Sequence, residues 1–147
     1  MSMLRIEETF SIERPPQVVF DYVIQADNLA HWQTSKTLAQ QITEGPPRLG
    51  TRIRERTKMP GRREWEQIVE FAEFERPRRL GTHIVEGPAP IDGRWTFEPD
   101  DNATRVRFEA WGELHGPQKL LLPLLKLAIA REFRKYHRNL RRNLEAS

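Results

Sequence analysis

Five polar residues share strand parity with apolar neighbours: Glu8 in LRIEETFSI, Gln40 in LAQQIT, Glu55 and Thr57 in TRIRERTKM, and Gln67 in REWEQIVEF. Such parity turns a side chain toward an interior. A buried polar group left without a partner costs about 1–3 kcal/mol, so a ligand, a water or another side chain must meet each one. Glu8 and Glu55 would form a general acid and base if burial kept one of them protonated. Hydrated positions near strand ends are the plainer alternative. Tyr136 is a third group able to move a proton. His31, His83, His115 and His137 show no metal-ligand spacing, and no metal is expected. A histidine with inward access, His83 or His137, would suit a proton shuttle, against the ordinary alternative of a solvated or internally satisfied ring. No GxSxG, Walker A or GxGxxG stretch occurs, and no cofactor is expected.

The elements that must position these groups follow from periodicity. Residues 3–13 alternate, with Leu4, Ile6, Phe10 and Ile12 on the face of Glu8, which predicts a half-buried strand. RPPQVVFDYV opens on Pro15-Pro16 and spaces Val19, Phe20 and Val23 as a short helix; a second runs from about Asp27 to Trp32, a packing anchor. From 36 to 114 six strands follow one another through short turns, an antiparallel meander. Trp65, Trp95, Phe108 and Leu114 fall on inward parity, and Trp111 on outward parity. The strand over 63–74 is the least regular, because Ile68-Val69 breaks its alternation.

The last element opens at Gly116-Pro117 and is read as one helix to about Glu145, roughly 40 Å long. Leu122, Leu125, Ile129, Phe133, Tyr136 and Leu140 form one apolar stripe that can lie across the sheet, with Arg131, Arg134, Arg138, Arg141 and Arg142 mostly off it. Residues 120–127, LLLPLLKL, place six leucines in eight positions. Leu120, Leu124 and Leu127 point away from the stripe and need a cover of their own: a pocket mouth, a second subunit or a membrane surface. A membrane span is excluded by Pro123, Lys126 and Arg131, since about 20 apolar residues are needed.

Composition narrows the classes. The 147 residues suit one domain, 1–147, large enough for its own core. There is no cysteine, hence no disulfide framework and no thiolate metal site, which suits a cytoplasmic location. The net charge of +3 is too small an excess for a dedicated nucleic-acid binder. The basic hairpin of Arg52, Arg54, Arg56, Lys58, Arg62 and Arg63 faces the acidic Glu64, Glu66 and Glu70, and reads as a solvated face. Attraction to an anionic ligand or lipid headgroup is the sharper alternative.

The order β-αα-β6-long α is carried by PPQVVFDYV, by Asn28, Leu29 and Trp32 in DNLAHW, by Gly50 after the Pro-Pro turn, by Thr104-Arg105-Val106, and by the closing LRRNLE. It resembles the START/Bet v 1-like (SRPBCC) superfamily, in particular its polyketide cyclase/dehydrase-like branch. Gln25 departs from the Asp often found before the second helix. The resemblance covers nearly the whole chain and implies an α+β helix-grip fold, a curved antiparallel β-sheet wrapped around a long C-terminal α-helix. It also implies a cavity for a hydrophobic or amphipathic small molecule of lipid, polyketide or aromatic type. Gln40, Glu55, Thr57, Gln67, Trp95, Phe108, Leu125, Ile129, Phe133 and Tyr136 are the expected ligand-binding residues. The competing classes are a cyclase/dehydrase-type enzyme using Glu8, Glu55 or Tyr136, and a protein-interaction module with a nearly filled cavity. The expected partners are a hydrophobic ligand, with no nucleic acid and no transmembrane segment, and with peripheral membrane contact or a homodimer as uses of the outward leucines.

Overall fold

A computed structural model describes residues 2–147, apart from the side chains of Ser2, Leu114 and Gln118. The expected inward side chain of Leu114 therefore lies outside the described residues. Strand β1 (Ser2–Ile12) leads to helices α1 (Pro16–Val23) and α2 (Ala26–Trp32). Six strands follow: β2 (Lys36–Gln41), β3 (Arg52–Thr57), β4 (Trp65–Glu75), β5 (Arg79–Glu86), β6 (Asp92–Asp100) and β7 (Ala103–Leu114). They form one seven-stranded antiparallel sheet in the order β1-β7-β6-β5-β4-β3-β2. The chain therefore runs as the expected meander, with β1 added beside β7.

The final element departs from the single helix expected. Gly116–Leu121 is a 3-10 helix, and α3 begins at Leu122 and ends at Glu145. Pro123 explains the break. It has no amide hydrogen and clashes in a helix interior, but fits the first turn. The 24 residues of α3 span about 36 Å.

Alternation builds the core. Leu4, Ile6 and Ile12 of β1, Ile53 of β3, Val69 and Phe71 of β4, Trp95 and Phe97 of β6, and Val106, Phe108 and Ala110 of β7 are buried on one face. Helix α1 lays Phe20 edge-on against Phe74 and Phe97, at 5.3 and 5.8 Å between ring centroids. Helix α2 sets Trp32 edge-on against Trp95 at 6.1 Å. Helix α3 buries Tyr136, His137, Leu140 and Leu144, whereas Leu122, Leu125, Ile129 and Phe133 are half-covered. Its C-terminal end is tied to the β1–α1 turn: Arg14 Nη1 donates to the Leu144 carbonyl at 2.8 Å, and a Glu145 carboxylate oxygen accepts from the Glu13 amide at 2.9 Å.

Three irregularities set which side chains face inward. The β2–β3 register shifts between Lys36 and Leu38, and β4–β5 shifts between Ile68 and Val69 and again between Phe71 and Glu73. A bulge inserts one residue and so exchanges the two faces beyond it. After the last of them Glu73 is turned out to Arg94, bonded at 2.6 Å, while Phe74 returns to the core. Outward Trp111 is covered by the Arg94 guanidinium, 5.1 Å from its ring centroid. The basic hairpin is matched as its sequence suggests, with Arg52–Glu70 at 3.1 Å and Arg56–Glu66 at 3.0 Å.

Candidate functional site

A cavity of about 80 Å³ lies between the inward face of β3–β6 and the helices α2 and α3. That holds a few waters and is well below the several hundred Å³ of a pocket for a drug-sized ligand. Most of its wall is apolar, from Leu29, Trp32, Ile53, Phe71, Trp95 and Phe133 among others. Its polar wall comprises Gln33, Thr82, Asp92 and one bonded group. Lys36 Nζ lies 3.1 Å from Glu55 Oε1, with side-chain exposures of 9% and 7%. Gln67 Nε2 donates to the same Glu55 oxygen at 2.8 Å, and Lys36 also reaches Thr57 Oγ1 at 3.4 Å. Burying two charges is costly, and the pair is sustained by mutual attraction plus these hydrogen bonds.

A second polar group stands behind the wall. Trp95 Nε1–H donates to His137 Nε2 at 3.0 Å, and His137 Nδ1 meets Glu8 Oε1 at 2.7 Å. Indole nitrogen only donates, so Nε2 must accept and the proton sits on Nδ1, which donates to Glu8. His137 is 1% exposed and ringed by aromatics: it stacks on Phe10 at 4.6 Å and meets Phe108 edge-on at 4.8 Å. Burial lowers its pKa below the ordinary histidine value, and Glu8 only partly opposes that.

Around α3 a third cluster joins Ser35, Glu132, Lys135 and Tyr136. Ser35 Oγ donates to Glu132, and Lys135 Nζ lies 3.0 Å from the same carboxylate oxygen. Burial pushes the Tyr136 phenol well above its ordinary pKa, and the neighbouring Glu132 adds to this.

Of the expected ligand-binding residues, Glu55, Gln67, Trp95 and Phe133 line the cavity. Gln40 does not: the bulge between Lys36 and Leu38 sets it on the opposite face from Lys36, outward beside Arg54, where it is exposed, while Lys36 faces inward. Thr57 is buried beside Lys36, and Phe108 lies one layer back, 4.8 Å from Trp95 and 4.5 Å from Phe133. Tyr136 is buried in the Glu132 cluster, and Leu125 and Ile129 are half-covered on α3 outside the cavity wall. Glu8 is not a hydrated strand-end residue; it sits mid-strand opposite Phe108. His83 lacks inward access, being exposed and paired with Asp92 at 2.9 Å.

Sequence reasoning missed Lys36, Gln33, Thr82 and Asp92 on the cavity wall; Lys36 precedes the strand as read from Leu38. His137, one of the two histidines expected to have inward access, is buried; it stands four residues after Phe133 and three before Leu140, the spacing of the apolar stripe itself.

Residues 3–145 match the model of the family described as polyketide cyclase/dehydrase and lipid transport. The chain belongs to that family. Membership of the polyketide cyclase/dehydrase and lipid transport family accounts for the order of elements. Among solved structures, TTHA0849 from Thermus thermophilus superposes with a TM-score of 0.80 at 20% identity, over 97% of each chain. The Zhui aromatase/cyclase from a Streptomyces species gives 0.77 at 14% identity, over 98% of this chain and 94% of that one. Ara h 8.0201 gives 0.75 at 10% identity, over 99% and 100%. At such identities these likenesses establish the helix-grip fold that this family member shares with them. No curated protein matches the family member by sequence.

Proposed function

We propose that the protein binds a compact hydrophobic or amphipathic small molecule in the cavity between sheet and α3, as a carrier or receptor. The observation that carries this reading is a mostly apolar cavity with a few polar groups on its wall, the bonded Lys36–Glu55–Gln67 set among them. Apolar burial supplies affinity, and a few placed polar groups fix orientation. The pair is already neutralised internally, which favours an uncharged hydroxyl, carbonyl or amide over a free anion or cation. A longer ligand of lipid or polyketide type requires the half-covered Leu122–Ile129 stretch of α3 to move away from the sheet. The cysteine-free chain suits a reducing compartment, and the cytoplasm is the location we assign it.

The three groups that would have supported an enzyme are all engaged. Glu8 is held by His137, Glu55 by Lys36 and Gln67, and Tyr136 is buried beside Glu132. The enzyme reading thereby loses the support that these three residues gave it in the sequence. The small volume does favour one second reading, a protein-interaction module that uses the sheet-and-helix scaffold with its interior filled.

Native mass spectrometry of fresh protein, with organic extraction of anything released, tests the carrier reading. It predicts a bound apolar molecule, or a change in tryptophan fluorescence on adding 1-decanol or 2-naphthol. A clean unliganded mass together with no fluorescence response to either probe would sink it and leave the interaction module.

A further inference from the structure

One end of the molecule gathers features that the cavity does not use. Thr57 stands opposite Trp65, Ile68 opposite Glu86, and Asp92 opposite Trp111. The β3–β4 turn, the β5–β6 turn and the end of β7 therefore share one end of the sheet, and the 3-10 helix and the start of α3 grow from it. There Leu120, Leu121, Leu124 and Leu127 are 86%, 52%, 66% and 50% exposed. Single exposed leucines are ordinary, but four within eight positions form a patch.

The charges within this patch have one sign. Between His115 and Arg131 the chain has no Asp or Glu, while Lys119 and Lys126 stand exposed among the leucines. The next acid, Glu132, is occupied by Ser35 and Lys135. The β3–β4 turn adds exposed Lys58, Arg62 and Arg63. Of the acids at this end, Glu64 bonds Thr37 and lies 3.7 Å from Arg56, and Glu113 lies 3.7 Å from His115; Glu86 is exposed.

We propose that this end of the protein docks on an anionic lipid bilayer. The leucines enter the boundary between headgroups and acyl chains, and the lysines rest on lipid phosphates. Lysines threaded through an apolar patch argue for lipid over a protein partner. A dry protein interface is depleted of lysine because it must desolvate the ammonium, whereas at a bilayer surface the stem lies in the apolar layer and the charge stays in water. No helix among the described residues is long and apolar enough to cross a membrane, so the contact is peripheral.

Co-sedimentation with phosphatidylcholine vesicles, with and without about 30% phosphatidylserine, tests this. The wild type should bind the anionic vesicles and be released by salt. The triple variant L120S/L124S/L127S should bind at least roughly a hundredfold more weakly. K119E/K126E should lose about tenfold or more on anionic vesicles only. All five positions are exposed, and unchanged thermal melting will show that the variants fold. Absence of wild-type binding to either vesicle, equal binding by the triple variant, or a wild-type dimer that the triple variant dissolves while vesicle binding persists unchanged, would each overturn the proposal.

Discussion

Trp95 donates its indole N–H to Nε2 of His137 at 3.0 Å, and this one bond fixes the state of a ring that is 1% exposed. A proton added to His137 would have to enter at Nε2, where it would face another donor. The neutral tautomer is thus enforced by geometry as well as by burial.

Stability should fall on acidification within the histidine range. The folded pKa of His137 lies below its unfolded value, so below about pH 6.5 the unfolded chain takes up a proton that the folded chain refuses. Stability is complete above that pH and is lost as pH drops toward the folded pKa, by at most about 1.4 kcal/mol per pH unit. Urea melts from about pH 7.5 to 5 check this, and H137Q should flatten the curve. A flat wild-type curve would contradict it.

The Trp95–His137 bond should show as a coupling. W95F leaves a buried acceptor unmet, at about 1–3 kcal/mol, and H137L leaves a buried donor unmet. The cycle closed with W95F/H137L should return a coupling of about 1 kcal/mol or more by chemical denaturation. Additive effects would mean that the bond contributes nothing.

Glu55 and Lys36 should be inseparable. E55Q leaves a buried ammonium without its counter-charge and should cost about 3 kcal/mol, whereas K36M/E55L should come close to the wild type or exceed it. The double variant should also bind the extracted ligand or 2-naphthol without preference for a polar group. If E55Q melts like the wild type, the pair is hydrated and the buried account fails.

Gly81 is required by its neighbour and not by its own backbone. A Cβ there would stand 2.5 Å from Glu73 Oε2 and 2.8 Å from Glu73 Cβ. G81A should displace Glu73 from Arg94 and destabilise by about 1–2 kcal/mol. In an E73G background, which removes all the contacting atoms, G81A should cost much less, and thermal melting of the single and double variants will read the difference.

Most of the scaffold is written in the alternation. Leu4, Ile6, Ile53, Glu55, Thr57, Trp95, Val106 and Phe108 face inward as their parity requires, and Val19, Phe20 and Val23 form the buried side of α1. The site is less legible. A bulge sets Gln40 and Lys36 on opposite faces despite their shared parity, and a one-residue insertion in pairing leaves no mark in the hydrophobic pattern. Pro123 is the mark in the sequence of the break between the 3-10 helix and α3. Cavity volume was not readable, because it follows from how far the sheet curves from α3. Of the two histidines expected to reach the interior, His137 is legible by its helical spacing even among the arginines of YHRNLRR, whereas His83 is exposed.

The unequal anchoring of α3 makes it a cantilever. Its C-terminal end is clamped by Arg14, by the Glu13 amide and by buried Leu140 and Leu144, while the stretch from Leu122 to Ala130 has no fully buried side chain. Opening free energy should therefore rise along the helix, and amide hydrogens should exchange for deuterium soonest near Leu125 and last near Leu140. Such a beam bends from its Leu122 end, so the route into the interior lies on the side that carries the exposed leucines.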